Sequence, residues 1–496
     1  ATALREYVMR RPFEGRYGIA LTIAVLALAP YVVVTTAYVL YQKQVAADLG
    51  ASQGALEIIA ALATAGYAFG ALFAGDLIHR LAQRPLFFAA EGLFVVGSLL
   101  AGFAVGTVTY GAGRILQGLA TGLLLVIALP PVIQRFAPAR MPLTAVFVNI
   151  GFFGAVTAGP LIGGAVASAH AWRWFYGALA ALGIAVLLLA TLTLPDQQAR
   201  NKELPFDASG LLLGFAGAVL SFWAVGELRG HGFGSPQFIL PLVVGIGCLA
   251  ALLLTEYHKE QPLSPVKLMW STFPVVGTLV AMLGGGIYVT FVVLRVQSLL
   301  QVGRHEPLTA GVFFWPQLLG VFISAALLGM LLRTRYLPVL ILAGMATLFG
   351  GGALLLSAGA HSDSTVTSLA AIGLLGLGAG ATVSPGLYLA GFSLSASILG
   401  RVFALIELVR SAADFLLAPV MLQVARVSSG GRALNSGGIR QALWITLAIT
   451  VASIAACLAV YLTGSRKLPQ PDIDAWLTKG QLAIESPALG ARISRG

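Results

Sequence analysis

Charged side chains inside long apolar runs are the residues of this sequence best suited to chemistry. Glu407, Arg410 and Asp414 follow one another at intervals of three and four positions, so a helix would place them on one face. Ionisable groups are costly in a membrane, and acids there mark proton routes by default. We therefore expect Asp414 first and Glu407 second as protonatable carboxylates, with Arg410 tuning their proton affinity. The alternative is an ion-pair ladder that only packs this helix against a neighbour.

Three further charged residues lie within apolar runs. Arg114 opens an Arg-x-x-Gln-Gly motif with Gln117 and Gly118, and an intramembrane arginine is expected to face a partner or a wet cavity. We expect Glu91 to pair with an arginine of a nearby loop. Arg295 lies near the end of its run, where either a side chain that reaches the membrane surface or a substrate contact explains it.

The sequence carries no signature of an enzyme or of a metal site. It has no P-loop motif and no His-Glu-x-x-His motif, and its six histidines are scattered. The two cysteines, Cys248 and Cys457, lie in separate apolar runs and are typical of packing residues. We therefore predict a protein that is not an enzyme and has no catalytic residues, no cofactor and no metal site.

The elements that must position the charged residues are membrane-spanning helices. Of the 496 residues, 58% are hydrophobic and 10% are charged, where soluble proteins carry roughly 25% charged residues. About 20 apolar residues cross a bilayer as a helix. We predict an all-α polytopic membrane protein with fourteen spans, near residues 17–41, 54–75, 85–106, 109–133, 143–168, 174–194, 208–228, 236–256, 273–300, 307–332, 337–358, 365–391, 398–424 and 439–463.

The distribution of positive charge predicts the orientation of these spans. With the N-terminus inside, 20 Lys and Arg residues fall on the cytoplasmic side and 7 on the other side. We therefore expect both termini in the cytoplasm. The net charge of +11 is spread over short loops, which argues against a nucleic-acid partner. The C-terminal tail, 464–496, mixes Pro, Gly and charge and is expected to be mobile or to lie on a surface.

Two further motifs accompany the one at Arg114. A loop motif before the third span contains Gly75, Asp76 and Arg80, and a glycine–proline motif in the fifth span contains Gly159, Pro160, Gly163 and Gly164. At this spacing the three motifs resemble the major facilitator superfamily, and more narrowly its fourteen-helix drug:proton antiporter branch of the EmrB/QacA type. The resemblance extends over roughly residues 17–463, with supporting marks at 171–175, 207–210 and 307–311.

The resemblance implies a major facilitator fold, in which two six-helix halves rock to expose a central cavity to each side in turn. We place the halves at 1–194 and 273–463, with a central loop and two extra helices at 195–272 and the tail after 463. The resemblance implies proton handling for Arg114 and control of the interface between the halves for the glycine–proline motif. We expect the cavity wall to include Tyr38, Gln117, Asn149, Tyr288, Gln297, Trp315, Gln317 and Tyr388.

Two positions depart from the family pattern. In the loop motif the family usually has an aspartate where this sequence has His79, and Asp76 comes three positions earlier. The charge latch attributed to that aspartate is therefore absent unless Asp76 replaces it. Val34 occupies a position where the family commonly has an acid, so proton coupling must use another carboxylate or be absent.

Together these observations predict a secondary active transporter of the bacterial inner membrane. It would export small amphipathic compounds or drugs in exchange for protons, as a monomer in contact with membrane lipids. One alternative is an importer or uniporter of a larger, anionic metabolite such as a siderophore, favoured by Val34 and by the three intramembrane arginines. Another is a non-transporting receptor or assembly subunit, favoured by the altered loop motif.

Overall fold

The structure is a computed structural model that describes residues 12–195, 206–260, 262–358, 365–431, 433–465 and 467–492. Some of the Lys and Arg residues on which the predicted orientation depends, at 1–11, 196–205, 432, 466 and 493–496, lie outside the described residues. Fourteen long helices occupy the described part of the chain. They are α1 (Tyr17–Leu49), α2 (Gln53–Arg80), α3 (Gln83–Gly102), α4 (Thr107–Arg135), α5 (Met141–Ser168), α6 (Trp172–Thr191), α7 (Ala208–His231), α8 (Pro236–His258), α9 (Thr272–Gln297), α10 (Pro307–Leu331), α11 (Leu337–Ala358), α12 (Thr365–Phe392), α13 (Leu399–Ser428) and α14 (Ser436–Gly464).

Thirteen of these helices in the described part are long and apolar enough to cross a membrane, by length and composition. The other is α13, whose 30 residues are also long enough but include the charged stripe at Glu407, Arg410 and Asp414. The fourteen predicted spans thus correspond to the fourteen long helices, and the predicted all-α fold is confirmed.

Several helices extend a few residues beyond the predicted spans. The apolar run marks only the part suited to hydrocarbon, whereas a helix continues until its backbone is capped. Thus α1 ends at Leu49 and is capped by Gly50, whose φ of 60° suits glycine. The next helix, α2, begins after Ser52, whose side chain accepts a hydrogen bond from the Ala55 amide at 3.1 Å.

The tenth helix contains a break that was not predicted from the sequence. Its two pieces, Pro307–Val312 and Trp315–Leu331, are separated by a turn at Phe313 and Phe314. Pro316 has no amide hydrogen to bond the carbonyl of Val312, so the regular ladder cannot run through this point. The buried positions nevertheless keep their helical spacing across the break, from Ala310 through Phe314 to Gln317.

Neighbouring contacts divide the long helices into two groups of six and a hairpin. In the first group α1 packs on α5, α2 on α4, and α3 on α4 and α6. In the second group α9 packs on α12, α13 and α14, and α12 also packs on α10 and α11. Two seams join the groups, one between α5 and α10 and one between α2 and α13.

The hairpin of α7 and α8 lies beside the second seam, because α7 packs on both α2 and α13. The outward face of α8 is apolar and exposed, which suits contact with lipid, as at Leu240 and Val243. Asp207 closes the base of the hairpin, since it caps α7 and its Oδ2 lies 2.6 Å from Lys259 Nζ. Burial raises the pKa of Asp207, but the Lys259 ammonium and the Gly210 amide lower it more, to about 2.

The described part of the C-terminal tail packs on one end of the bundle, which we call the tail end. The indole of Trp476, in the short helix Ile473–Lys479, donates to the carbonyl of Leu394 at 2.8 Å. The amide of Thr272 donates to Pro487 at 2.9 Å, and the short helix also contacts the turn Pro138–Arg140 of the first group. Trp476 is 1% exposed. The tail, expected to be mobile or surface-lying, is therefore packed on the bundle by its apolar side chains.

Candidate functional site

A cavity of about 220 Å³ lies between the two groups of helices. Its wall is formed by α1, α2, α4, α5, α7, α9 and α13, and it extends from the middle of the bundle to the end opposite the tail, which we call the far end. Most wall residues are apolar, as is usual for sites that bind small molecules. In the described part of the chain, the charged residues of the wall are Glu57, Arg114, Arg410, Asp414 and Arg426.

The predicted stripe on α13 forms one ion-paired cluster. Arg410 Nη2 lies 2.5 Å from Glu407 Oε2, and its Nη1 bonds Asp414 Oδ2. All three side chains are buried. Arg410 and Asp414 line the cavity, whereas Glu407 does not. Removing one partner of a buried ion pair typically costs ~3–5 kcal/mol, so each member depends on the others.

Asp414 is positioned by α9 as well as by Arg410. A Cβ added at Gly285 would lie 2.5 Å from Asp414 Oδ1, so only glycine leaves room for the carboxylate there. Asp414 Oδ1 itself has no hydrogen-bond partner in the described structure. A buried carboxylate oxygen in a cavity wall is thus available to a proton or a ligand.

Tyr67 ties this cluster to the first group of helices. Its hydroxyl donates to Glu407 Oε2 at 3.0 Å, and this contact joins α2 to α13 across the seam. Tyr67 was not among the site residues predicted from the sequence. The only available signal was a polar-tipped aromatic residue in the middle of an apolar run that is otherwise rich in Ala and Gly.

Arg114 lies in the wall on the first group of helices, within a cage of tyrosine rings. Its guanidinium carbon is 5.8 Å, 5.6 Å and 5.9 Å from the ring centroids of Tyr31, Tyr38 and Tyr176. Gln117 Oε1 accepts a hydrogen bond from Arg114 at 3.2 Å. Each such cation–π contact contributes ~0.5–2 kcal/mol. The rings therefore offset part of the cost of burying this cation.

The tyrosines around Arg114 fall into two sets. Tyr176 exchanges hydrogen bonds with Tyr110 at 2.9 Å and with Tyr41 at 3.3 Å, and these three do not line the cavity. Tyr31 and Tyr38 line the cavity, and their hydroxyls make no hydrogen bond of normal geometry in the described structure. The unused donors of the cage therefore belong to the cavity.

At the far end an ion-pair cluster joins three parts of the bundle. Glu57 Oε1, at the start of α2, lies 2.5 Å from Arg229 on α7 and 2.8 Å from Arg426 on α13. These side chains are only partly buried. The first group, the hairpin and the second group are thus linked by charge where the cavity approaches the far end.

At the tail end the same seam is closed by direct packing. A Cβ added at Gly75 would lie 3.0 Å from Ala404, and one added at Gly400 would lie 2.5 Å from Ile78. Asp76 pairs with Arg80 of its own helix at 2.8 Å. The described structure is therefore closed at the tail end without a bond from Asp76 to α13.

The comparisons with known proteins agree with this architecture. The family model of the Major Facilitator Superfamily matches residues 19–418. The chain belongs to the major facilitator superfamily. Its fold and its cavity between two groups of six helices are those expected of this family.

The relatives of this superfamily member include proteins named for multidrug export. A multidrug resistance protein B homolog of Mycobacterium tuberculosis is 25% identical, over 74% of this chain and 68% of the relative. The multidrug export protein EmrB of Haemophilus influenzae is 28% identical, over 60% of this chain and 59% of the relative. An MFS-type transporter of Bacillus subtilis, YubD, is 30% identical over 54% of this chain, and the match spans about half of its length, 53%.

The residues predicted for the cavity fall in three places. Tyr38, Tyr288 and Gln297 line it. Asn149 and Gln317 lie between the groups instead, where Asn149 donates to Gly380 at 3.1 Å and Gln317 donates to Thr157 at 2.6 Å. The remaining members, which the structure places outside the wall, are Gln117, Trp315 and Tyr388.

The structure differs from the predictions at three residues, Trp315, Arg295 and Glu91. Trp315 is 47% exposed, because it lies on the outward face of α10 with Val312 and Leu319. Arg295 bonds Ser368 of α12, so it neither reaches the membrane surface nor lines the cavity. The prediction that Glu91 pairs with a loop arginine is wrong. Its buried Oε2 has no hydrogen-bond partner in the described structure.

The glycine–proline motif of α5 serves two different contacts. A Cβ added at Gly159 would meet Thr36, and one at Gly163 would meet Ala37, both on α1 of the same group. A Cβ at Gly164 would lie 2.6 Å from the carbonyl of Pro307 on α10. Gly164 thus faces α10 of the second group. The Pro160 carbonyl also faces α10, because a Cβ added at Gly311 would lie 2.4 Å from its oxygen.

Proposed function

We propose that this protein is a secondary active transporter that exports small amphipathic compounds in exchange for protons by alternating access. Asp414 carries the proposal, because it is a buried carboxylate in the cavity wall that is bound to Arg410 and has one oxygen free. Only the ionised carboxylate attracts Arg410 strongly, so a proton on Asp414 weakens that pair. A ligand can drive a conformational change only by binding two states differently, and one proton supplies such a difference here.

The contact of Tyr67 with Glu407 connects this chemistry to movement. The bond crosses the seam between α2 and α13, so it exists only while the two groups are together at this depth. Rocking of the groups would remove a donor from Glu407 and alter the charge balance around Arg410. Proton binding at the cluster and opening of the seam are thereby coupled, with Asp414 and Glu407 as the carboxylates.

Relatives named for multidrug export support the export of amphipathic compounds. The mixed aromatic and apolar cavity suits such compounds. We place the protein in the inner membrane of a bacterium as a monomer, with the tail end and both termini in the cytoplasm. In that orientation the described state is closed toward the cytoplasm, and its cavity reaches the outer face.

The second candidate is an importer or uniporter of an anionic metabolite. Arg114 favours it, because this cation lies in the wall without a carboxylate partner in the described part of the chain. Import predicts that vesicles carrying the protein accumulate the compound, whereas export against protons predicts efflux. A receptor on the same fold would move neither the compound nor protons.

The test uses the full chain in liposomes that contain a pH-sensitive dye. Under an imposed pH gradient, addition of an amphipathic aromatic compound should move protons through the native protein and not in protein-free liposomes. The Asp414→Asn variant should still bind the compound by calorimetry but lose proton movement by about tenfold or more, the effect of ~1.4 kcal/mol or more. Glu407→Gln should give a smaller defect. Proton movement at the native rate in the variant lacking both carboxylates would overturn the proposal.

Glu91→Gln is the matched control for this experiment. Glu91 is also a buried acid of a membrane-spanning helix, but it lies outside the cavity wall. Its replacement should leave substrate-driven proton movement unchanged. A defect as large as that of Asp414→Asn would place the proton site in α3 instead.

A further inference from the structure

We propose that Arg114, with the hydroxyls of Tyr31 and Tyr38, binds the anionic group of the transported compound, so that the substrates are lipophilic organic anions such as aromatic carboxylates. This inference rests on the proposed function, because it assigns the charge of the compound that the same cavity takes.

The charge balance of the cavity wall favours an anionic ligand. In the described part of the chain the wall contains three arginines and two acids. Glu57 pairs with Arg426, and Asp414 pairs with Arg410. Arg114 is the cation that remains, and its one side-chain hydrogen-bond partner there is the neutral amide of Gln117. A buried cation without a counter-ion attracts an anion more strongly than one that is already paired.

Unused hydrogen-bond donors around Arg114 also favour an anionic ligand. A guanidinium has five N–H donors, and Gln117 accepts from one of them. The hydroxyls of Tyr31 and Tyr38 make no hydrogen bond of normal geometry in the described structure, with Thr64 beside the first and Tyr110 beside the second. Both side chains are at most 5% exposed and both line the cavity. Hydrogen bonds from a cation and from hydroxyls to a carboxylate are short and strong. One anionic group at this place would satisfy all three side chains.

The tyrosines are already held in position, which favours binding. Tyr31 stacks on Tyr67 with ring centroids 5.9 Å apart, and Tyr38 lies edge-on to Tyr41 at 5.5 Å. Side chains that are fixed before binding lose little freedom when a ligand arrives.

The remaining wall determines the rest of the ligand. Phe152, Val289 and Val292 are among the apolar residues that complete the cavity. A charged head at Arg114 would therefore be joined to an apolar, preferably aromatic body. The wall does not offer a second unpaired cation in its described part, so a single anionic group is expected.

Isothermal titration calorimetry on the purified full chain tests this with two probes of nearly equal shape. Naphthylacetate carries a carboxylate, and naphthylacetamide replaces it by a neutral amide. We expect the native protein to bind naphthylacetate about tenfold more tightly or better, as charge-assisted hydrogen bonds predict. Arg114→Gln should reduce this preference to within about twofold, and Tyr31→Phe and Tyr38→Phe should each reduce it by roughly threefold. Titration into detergent alone corrects for partitioning.

Arg295→Gln is the matched control, because Arg295 is another buried arginine of a membrane-spanning helix but lies outside the wall. It should keep the native preference. Arg114→Lys retains the positive charge and should keep part of the preference, which separates loss of charge from loss of fold. Equal binding of the two probes by the native protein overturns the inference, as does an undiminished preference in Arg114→Gln.

The outcome is separable from that of the proposed function. Preference for the carboxylate without proton movement in liposomes would support the anion site and reject proton-coupled export. Proton movement driven equally by the acid and the amide would support the transporter and reject the anion site.

Discussion

The seam between α2 and α13 is built differently at its two ends. At the tail end, small residues bring the helices into direct contact, with Gly75 beside Ala404 and Gly400 beside Ile78. At the far end, the same two helices are linked by the partly exposed pair of Glu57 and Arg426. The attraction between closely packed atoms is lost when the helices separate by even a small distance. Ion pairs near water contribute only ~0–1 kcal/mol, but they persist through small movements of the helices.

This difference indicates how the described state is maintained. The tail end is held shut by shape, and the far end is held loosely by charge. Between them, Tyr67 bonds Glu407 at the depth of the charged cluster. Substitutions at the tail end, in the middle and at the far end of the seam can therefore test whether packing holds one end and ion pairs hold the other.

The largest effect is expected at the closed end, from Gly75→Leu. The added side chain would force α2 away from Ala404, and overpacking of a close contact costs ~1–3 kcal/mol. The state closed at the tail end should lose population, and transport should fall by about tenfold or more. Spin labels at Leu81→Cys and Ser397→Cys, which lie at the tail end in the two groups, should move apart in pulsed electron paramagnetic resonance.

Gly92→Leu is the control for this substitution. Gly92 is on α3, where an added Cβ would have no heavy atom within 4 Å, so transport and distance should match the native protein. If Gly75→Leu leaves the distance between the labels unchanged, shape does not hold the tail end shut.

An intermediate effect is expected in the middle of the seam, from Tyr67→Phe. The variant keeps the ring that stacks on Tyr31 and removes only the hydroxyl that donates to Glu407. A hydrogen bond to a charged group is worth ~1.5–3 kcal/mol, and new contacts in the variant recover part of this, so we expect roughly threefold to tenfold fewer protons moved for each substrate molecule. The measurement is the number of protons moved for each substrate molecule in liposomes.

Tyr17→Phe provides the comparison for the loss of a buried hydroxyl. Tyr17 bonds Thr144 at 2.8 Å within the first group and outside the cavity wall. It should lose stability without a change in the proton-to-substrate ratio. An equal ratio in Tyr67→Phe and the native protein would remove Tyr67 from the coupling mechanism.

The sequence allowed prediction of the contacts within a helix better than those between helices. The stripe of Glu407, Arg410 and Asp414 was predictable because helical periodicity places residues three and four positions apart on one face. The bond from Tyr67 to Glu407 joins residues 340 positions apart and depends on how two helices are rotated against each other. Spacing along the chain contains no direct information about that rotation.

The same reasoning explains the errors at the candidate site. Trp315 was expected in the cavity because its helix was expected to border it, but the side chain lies on the outward face of α10 with Val312 and Leu319. The partners of Glu57 come from α7 and α13, so the far-end cluster could not be found from any single span. By contrast, the positions of the long helices followed from apolar length alone.

The smallest effect is expected at the far end, from Glu57→Gln. The amide keeps the size of the side chain but loses the ionic attraction to Arg229 and Arg426. Because the pairs are partly exposed, the loss should amount to at most ~1 kcal/mol, or about fivefold. The far end should then open more readily, and a cysteine placed in the wall by Val225→Cys should react faster with a water-soluble maleimide.

Salt provides an independent check of the far end, since 1 M salt shortens the screening distance to about 3 Å. High salt should raise the labelling rate of the native protein toward the rate of the Glu57→Gln variant. The labelling rate of the variant itself should change little with salt. Asp474→Asn is the control, because its pair with Arg333, at 2.7 Å, lies at the tail end. It should leave the labelling rate unchanged. Two results would show that these ion pairs do not restrain the far end: slower labelling of Glu57→Gln, or a labelling rate in Glu57→Gln that is as sensitive to salt as that of the native protein. The difference between the two ends of the seam would then have to be explained by packing alone.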